Sequence, residues 1–277
     1  MDTVALVLGA GGARGLAHIH ALKAFDELGI RPSVVAGTSI GSIIGAAYCA
    51  GMSGADIEGF IAARLNDRTR LIGDIFKIRP TSMKRFFDDG GLRLGELNLE
   101  TILSIFLPQE IPATFEELQI PLKVVATDYY AMTDRVFTSG PLHTVIAASS
   151  AIPAVFLPVD IAGRFYIDGG SANPCPLNAV QGLANQVIAI DVSGGPVGAN
   201  HIRPSKIDVV YASNQIMQKS IVKQMAFSFP DSVILRPAVD RFRALDFLHA
   251  EDILAETVGL KEQVKSTLGQ ILDQKTP

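Results

Sequence analysis

Residues 34–50 read VVAGTSIGSIIGAAYCA, and this stretch determines the predicted fold. The β-branched run at 34–36 predicts a short buried strand, and the small apolar residues of 43–50 predict a helix. Residues 37–41 read GTSIG and lie between the two. A sharp strand-to-helix turn with a serine at its centre is the context that a nucleophile elbow requires.

The two glycines of this turn have a steric role. Gly37 and Gly41 remove side chains where the backbone turns sharply and where another segment is expected to press close. Ser39 would then project its hydroxyl above the sheet edge, facing the N–H groups and the positive dipole end of the following helix. An ordinary turn with a serine helix cap is the alternative, because G-x-S-x-G also arises by chance in glycine-rich chains.

A second glycine-rich segment, GAGGARG at residues 9–15, directly follows the apolar run at 4–8. A dinucleotide-binding fingerprint needs glycine where Arg14 stands, and a P-loop needs lysine where Leu16 follows Gly15. The loop therefore fits neither nucleotide pattern. It is suited to presenting backbone N–H groups at a helix N-terminus, as an oxyanion hole does, with a tight connection that binds nothing as the alternative.

The third motif is an aspartate followed by two glycines, at residues 168–170. Asp168 follows the apolar run at 165–167, so it is predicted to end a strand and to be able to point into a site. The commonest role of Asp-Gly is a plain turn. A second copy at 89–91 follows a charged segment instead of a strand, so the tripeptide alone has little specificity.

Strands that alternate with helices predict a parallel sheet covered on both faces. We predict strands at 4–8, 34–36, 122–127, 135–138, 164–167, 187–192 and 233–235, and helices from Leu16 to about Gly29 and at 43–50, 206–227 and 251–272. The 277 residues suit one large domain. Residues 55–118 are predicted to form an insertion or cap beside the sheet.

Composition narrows the class of protein. Hydrophobic residues make up 48% and charged residues 19%, which indicates a large core or an apolar surface with a partner. The net charge of −4 provides no basic face, so nucleic acid is not an expected partner. Cys49 and Cys175 form neither a C-x-x-C pair nor a disulfide framework, which fits the reducing cytoplasm, and the N-terminus resembles no secretory signal. The uncharged stretches 32–55 and 136–159 hold too many turn formers for a membrane span.

Together these motifs resemble the patatin-like phospholipase family, most closely small bacterial members. The resemblance covers residues 4–51 and 121–180, including the glycine loop with its arginine, the GTSIG turn, and the run ASSAIP at 148–153 ahead of Asp168. It implies a three-layer α/β/α fold with a mainly parallel central sheet and a helical cap. It also implies hydrolysis of lipid acyl esters without a metal or cofactor.

Residue by residue, the resemblance makes Ser39 the nucleophile and Asp168 the base of a dyad without histidine, and it places Gly11, Gly12 and Arg14 in the oxyanion loop. Burial would have to raise the pKa of Asp168 for it to act as a base near neutrality. Acylation of the serine and hydrolysis of the acyl-enzyme would follow.

A lipid or ester is the expected substrate, with at most a transient, peripheral membrane contact. Apolar residues of the predicted cap are candidates to line an acyl channel or to touch a bilayer: Phe76, Phe86, Phe87, Ile102, Phe106 and Leu107. Three alternatives stay open. They are a Ser–Asp–His triad using His201 or His249, a nucleotide-binding regulator, and an inactive interaction protein on the same fold.

Overall fold

The computed structural model describes residues 3–66, 107–153, 155–196 and 203–273. Within them, one eight-stranded sheet is formed by β1 (Val4–Leu8), β2 (Val34–Thr38), β3 (Leu122–Asp128), β4 (Thr133–Phe137), β5 (Val159–Ile161), β6 (Arg164–Asp168), β7 (Gln186–Ile190) and β8 (Ser232–Leu235). The helices are α1 (His18–Glu27), α2 (Ile40–Cys49), α3 (Gly54–Asn66), α4 (Leu142–Ser149), α5 (Lys206–Ser228), α6 (Ala250–Thr257) and α7 (Gly259–Asp273).

The centre of the sheet is parallel. Strands β3, β2, β1, β7 and β8 follow one another in that order, all parallel. Strands β4 and β6 each pair antiparallel with β3, and β5 pairs antiparallel with β6. The prediction of an α/β fold with a mainly parallel central sheet is therefore confirmed. Parallel neighbours need long crossover connections, and the helices between the strands provide them.

The core lies in two layers, one on each face of the sheet. Along β1, Leu6 and Leu8 pack into a large cluster with α1, α2 and α7, whereas Ala5 and Val7 pack into a smaller cluster on the other face. Val222 of α5 belongs to that smaller cluster. Successive side chains of a strand point to opposite faces of the sheet. The larger residues of β1 therefore face the thicker apolar layer, and the smaller ones face the thinner layer.

The carboxyl ends of β2 and β6 face each other beside β3. β4 occupies one edge of β3 along Val124–Phe137 to Asp128–Thr133, so β2 and β6 must share the other edge. On that edge, β2 runs parallel and ends with Thr38 opposite Val125, while β6 runs antiparallel and ends with Asp168 opposite Ala126. The carboxyl ends of two strands that are distant in sequence therefore meet at consecutive residues of β3.

The elements differ from prediction in a few places. The three-residue strand β5 was not predicted, and β4 begins at Thr133, two residues before the predicted start. The predicted C-terminal helix is two helices, α6 and α7, separated at Val258 just before Gly259. Such short or interrupted elements give too few residues for a periodic apolar pattern, so pairing with neighbours decides them.

The described parts of the predicted 55–118 insertion pack against the main core. Ile57 in α3 is buried in the large cluster, and so are Leu107, Ile111 and Phe115. The remainder of the predicted cap, residues 67–106, lies outside the described residues. That range contains the second Asp-Gly-Gly at 89–91 and all the candidate channel residues except Leu107.

The two uncharged stretches form core elements, as predicted. Residues 32–55 contain β2 and α2, and residues 136–159 contain α4 and the ends of two strands. In the described parts of the chain, no helix combines the length and apolar character needed to cross a bilayer.

Close packing at the turn between β2 and α2 gives a stability prediction. A Cβ at Gly41 would overlap the carbonyl oxygen of Leu8, so Gly41→Ala forces the backbones of β1 and α2 apart. We expect a loss of about 3 kcal/mol in the free energy of unfolding, or failure to fold, measured by urea denaturation.

Gly59 provides the matched control. It lies inside α3, and a Cβ there would meet nothing within 4 Å, so Gly59→Ala should stabilise the protein by up to about 1 kcal/mol. Equal effects of the two substitutions would contradict the packing assigned to Gly41.

Candidate active site

Ser39 occupies the sharp turn that joins β2 to α2. Its φ of 55° and ψ of −125° lie in a region that residues with side chains rarely adopt. Strain of this kind costs about 1–3 kcal/mol and persists only where the surroundings enforce it. Here Gly37 and Gly41 permit the close approach of the backbone, and the hydroxyl of Ser42 donates to the carbonyl oxygen of Ser39 at 2.6 Å.

Ser39 and Asp168 are hydrogen-bonded to each other. The Ser39 hydroxyl donates to Oδ2 of Asp168 at 2.6 Å, and the backbone N–H of Gly170 donates to Oδ1 at 2.7 Å. Ser39 is only 4% exposed and Asp168 only 6%. Both carboxylate oxygens are thus held by donors, which fixes the orientation of the side chain toward the serine.

Burial changes the acidity of this carboxyl group. Desolvation raises the pKa of Asp168 from its ordinary value of 3.8 to about 6, although the hydrogen bonds from Ser39 and Gly170 favour the ionised form. The carboxylate therefore still ionises at neutral pH. It is a stronger base than an exposed aspartate, which is the property that proton transfer from a serine requires.

Sequence reasoning assigned no role to Ser149 at the end of α4. Its hydroxyl donates to the carbonyl oxygen of Val125 at 2.6 Å and accepts from the N–H of Ser39 at 2.9 Å. The amide of Asp168 donates to the carbonyl oxygen of Ala151 at 2.9 Å. The segment that contains these two residues therefore supports both halves of the site, and its signal was the run at 148–153 quoted above.

In the loop after β1, some backbone amides are bonded and two have no partner within the described ranges. The amides of Gly9, Ala10 and Ala13 donate to the carbonyl oxygens of Ile190, Pro174 and Ala244, at 2.7–3.0 Å. Those of Gly11 and Gly12 have no acceptor among the residues that the structure describes. Since buried backbone donors are normally satisfied, two neighbouring free N–H groups indicate a place where an anionic oxygen can bind.

Arg14 supports this loop from the protein interior. Its Nε donates to the carbonyl oxygen of Gly11 at 3.0 Å, and its side chain is buried against Gly194, where a Cβ would collide with it. In a trans peptide the C=O and N–H groups point in opposite directions, so this bond directs the N–H of Gly12 away from Arg14. Burial lowers the pKa of Arg14 to about 10, which leaves it charged.

The histidines lie elsewhere. Nε2 of His18 donates to the carbonyl oxygen of Gly9 at 2.9 Å, and burial lowers the pKa of His18 to about 4, so it is a neutral support of the loop. His249 is exposed and pairs with Asp252, and His143 contacts the carbonyl oxygen of Ile111. His201 lies outside the described residues. Within the described chain, no histidine bonds to Asp168.

The described residues contain no group of three or more His, Cys, Asp or Glu side chains arranged to hold a metal ion. Cys49 and Cys175 are both buried free thiols, packed on opposite faces of the sheet. The polar groups gathered at the carboxyl ends of β1, β2 and β6 are thus a hydroxyl, a carboxylate and backbone amides.

Comparison with known proteins identifies a family. The description "patatin-like phospholipase" matches residues 6–180, more than half of the chain. An "uncharacterized NTE family protein" of Mycobacterium tuberculosis is 36% identical over 196 residues, which cover 70% of this chain and 50% of that protein. Human "patatin-like phospholipase domain-containing protein 6" is 30% identical over 274 residues, covering 89% of this chain and 19% of that protein.

The chain therefore spans about half the length of its mycobacterial relative. Among solved structures, the crystal structure of VipD from Legionella pneumophila matches with a TM-score of 0.50 at 12% identity. The match covers 95% of this chain and 67% of that chain, and it concerns the fold alone.

The strain at Ser39 can be measured with a pair of variants. Ser39→Ala and Ser39→Gly both remove the hydroxyl, but only glycine adopts a φ of 55° without strain. We expect Ser39→Gly to be the more stable of the two by about 1 kcal/mol in urea denaturation, after the greater flexibility of unfolded glycine is allowed for.

Substitution of Ser42, inside α2, should reverse the order, with Ser42→Ala more stable than Ser42→Gly by about 1 kcal/mol. If Ser39→Ala equals or exceeds Ser39→Gly in stability, the turn is not strained.

Proposed function

The chain belongs to the patatin-like phospholipase family, and from this premise we propose that it is a serine lipid acyl hydrolase that cleaves carboxylic esters. One observation carries the proposal. The Ser39 hydroxyl donates to a buried carboxylate at 2.6 Å from a strained turn, which is the arrangement of a nucleophile with its base.

In the proposed reaction, Oγ of Ser39 attacks the ester carbonyl carbon while its proton passes to Oδ2 of Asp168. The negative charge that develops on the carbonyl oxygen is stabilised by the N–H groups of Gly11 and Gly12, together with the amide of Ile40 at the start of α2. The C–O bond to the alcohol then breaks, and the leaving alcohol takes the proton from Asp168.

Hydrolysis of the acyl-serine repeats the same steps with water. Asp168 accepts a proton from the water molecule as its oxygen attacks the acyl carbon, and the proton returns to Oγ of Ser39 when the fatty acid leaves. One water is consumed for each ester cleaved. The raised pKa of Asp168 supports this double role, because a carboxylate with a pKa of about 6 both accepts and releases a proton near neutrality.

An apolar substrate fits the surroundings of the loop. The carbonyl oxygen of Ala244 accepts from Ala13, so the chain from 244 onward lies beside the free amides. Leu245 and Leu248 in this segment are about half exposed. Apolar side chains beside an ester-cleaving site favour acyl chains over small polar esters, and we propose a lipid ester as the substrate.

Labelling with a fluorophosphonate probe, together with hydrolysis of short and long p-nitrophenyl esters, tests the dyad. Ser39→Ala should abolish labelling and turnover. Asp168→Asn keeps the shape but removes the base, and kcat should fall by about 10²-fold or more. Asp160→Asn is the matched control, since Asp160 accepts from the Gly163 amide in an exposed turn without a serine, and it should retain full turnover.

Turnover that survives in Asp168→Asn would remove Asp168 from the mechanism. If His249→Ala abolished turnover instead, a triad would replace the dyad. Absence of both labelling and turnover in the unsubstituted protein would favour an inactive scaffold, and nucleotide binding at equilibrium would then be measured.

The buried carboxylate also sets a pH dependence. Only ionised Asp168 can accept the serine proton, so kcat/KM for a soluble ester should fall about tenfold per pH unit below a pKa of about 6. An exposed aspartate would place this fall in kcat/KM near pH 4.

His249→Ala should leave this fall in kcat/KM unchanged, because His249 is exposed and its ring pairs with Asp252 and not with Asp168. If kcat/KM fell only near pH 4, or if the fall disappeared in His249→Ala, ionisation of Asp168 would not be its cause. Circular dichroism at each pH separates loss of activity from unfolding.

A further inference from the structure

The turn between β3 and β4 has an unusual composition for a solvated hairpin. Its four residues read Tyr129-Tyr130-Ala131-Met132, without charge, and the aspartate typical of such turns is Asp128, which precedes them and accepts from the amide of Ala131. Tyr130 is 76% exposed and Met132 is 87% exposed. Met132 also has a φ of 54°, a conformation in which a bulky side chain is costly. Exposure to water alone does not account for these residues.

Phe165 of β6 extends this surface. The ring centroids of Tyr129 and Tyr130 lie 5.0 Å apart, edge to face, and those of Tyr130 and Phe165 lie 6.4 Å apart. The amide of Tyr129 donates to the carbonyl oxygen of Phe165 at 2.9 Å. We call Tyr129, Tyr130, Met132 and Phe165 the aromatic platform. It is held by backbone pairing between two hairpins and is therefore ordered before it meets a partner.

Two acidic groups near the platform are turned inward, whereas a third, Asp160, is exposed and stands opposite Phe165 in the β5–β6 pairing. Asp128 is buried, accepts from the amide of Ala131 at 3.0 Å, and pairs with Arg164 at 2.8 Å. Asp134 accepts from the side-chain amides of Asn173 and Asn178. Arg164 precedes Phe165 in β6, so its exposed side chain points to the opposite face of the strand, where Asp128 holds it. The platform thus presents aromatic rings, phenolic hydroxyls and a thioether, with the carboxylate of Asp160 at its margin.

We propose that the aromatic platform docks the protein on the interface of a phospholipid bilayer. Tyrosine, with an apolar ring and a polar hydroxyl, is suited to the level of lipid head groups. β6 runs from Phe165 to Asp168 in three residues, so docking fixes the strand that carries the base close to the lipid surface.

This proposal rests on the proposed function in that the bilayer holds the substrate, but its test does not depend on turnover. Exposed leucines elsewhere, such as Leu28 and Leu183, stand singly near the ends of the sheet where β2 and β7 begin. Isolated apolar residues are normal on soluble surfaces, whereas a contiguous cluster marks an interaction site. These two leucines therefore serve as controls.

The chain has no tryptophan, so a single introduced tryptophan reports on one position. We would place Tyr130→Trp in the Ser39→Ala background, which prevents lipid hydrolysis, and add vesicles of phosphatidylcholine with a minor fraction of phosphatidylglycerol. Docking predicts a blue shift of the emission and quenching by bromine-labelled lipid. Leu183→Trp in the same background should show neither effect.

Loss of the platform should weaken binding to vesicles without lowering the turnover of soluble esters. In vesicle co-sedimentation of the Ser39→Ala protein, Tyr130→Ser with Phe165→Ser should lower the partition coefficient about tenfold or more, or about 1.4 kcal/mol. Met132→Gly should lower it in the same direction while relieving the strain at φ 54°, so a folding defect cannot explain the loss. Leu28→Ser and Leu183→Ser should leave it unchanged.

With Ser39 intact, the platform variants should hydrolyse short soluble esters at the normal rate and vesicle phospholipid more slowly. The docking proposal is overturned if the unsubstituted platform does not bind vesicles, or if the platform variants bind as well as it does. It is also overturned if light scattering shows that the platform joins two copies of the chain. Failure of soluble-ester turnover alone would instead overturn the proposed function, because vesicle binding is measured in Ser39→Ala.

Discussion

The meeting of two strand ends on one edge of β3 is the constraint on which the site depends. β2 stops opposite Val125 and β6 stops opposite Ala126, so the residues at their ends are forced together. The break in pairing frees the carbonyl oxygen of Val125, and the hydroxyl of Ser149 satisfies it at 2.6 Å. It also leaves no room for a side chain at Gly169, where a Cβ would overlap that same carbonyl oxygen. The hydrogen bond between Ser39 and Asp168 is a consequence of this junction.

The site combines several locally unfavourable features, and the packed sheet maintains them. Ser39 has a strained backbone, Asp168 carries a desolvated carboxylate, and Arg14 carries a desolvated guanidinium. Each feature costs free energy of folding and persists only because its packed neighbours enforce it, as Ser42 and Ser149 do for Ser39. Strain and burial of this kind concentrate at sites of binding or catalysis, which agrees with the function that we propose.

Burial also organises the electrostatics of the site. It raises the pKa of Asp168 toward neutrality, whereas Arg14 remains charged behind the loop and fixes the carbonyl oxygen of Gly11. His18 does the same for Gly9 as a neutral donor. The amides of Gly11 and Gly12 thus lie in a backbone whose carbonyl oxygens at Gly9 and Gly11 are held by the side chains of His18 and Arg14. The aromatic platform, at the far end of β6, joins the proposed lipid surface to the same strand.

The sequence by itself determined the features that depend on near neighbours along the chain. These are the turn around Ser39, the glycine loop with its break from nucleotide patterns, and the apolar run that forms the buried strand β1. Only the tertiary structure decided the rest. Asp168 lies 129 positions from Ser39, and its tripeptide occurs twice, so pairing with β3 is what sets one copy beside the serine. The resemblance placed Arg14 in the oxyanion loop, but its bond to the carbonyl oxygen of Gly11 and the role of Ser149 were likewise hidden. A hydroxyl or guanidinium bonds to whatever carbonyl oxygen the fold leaves unpaired, and local sequence does not encode that oxygen.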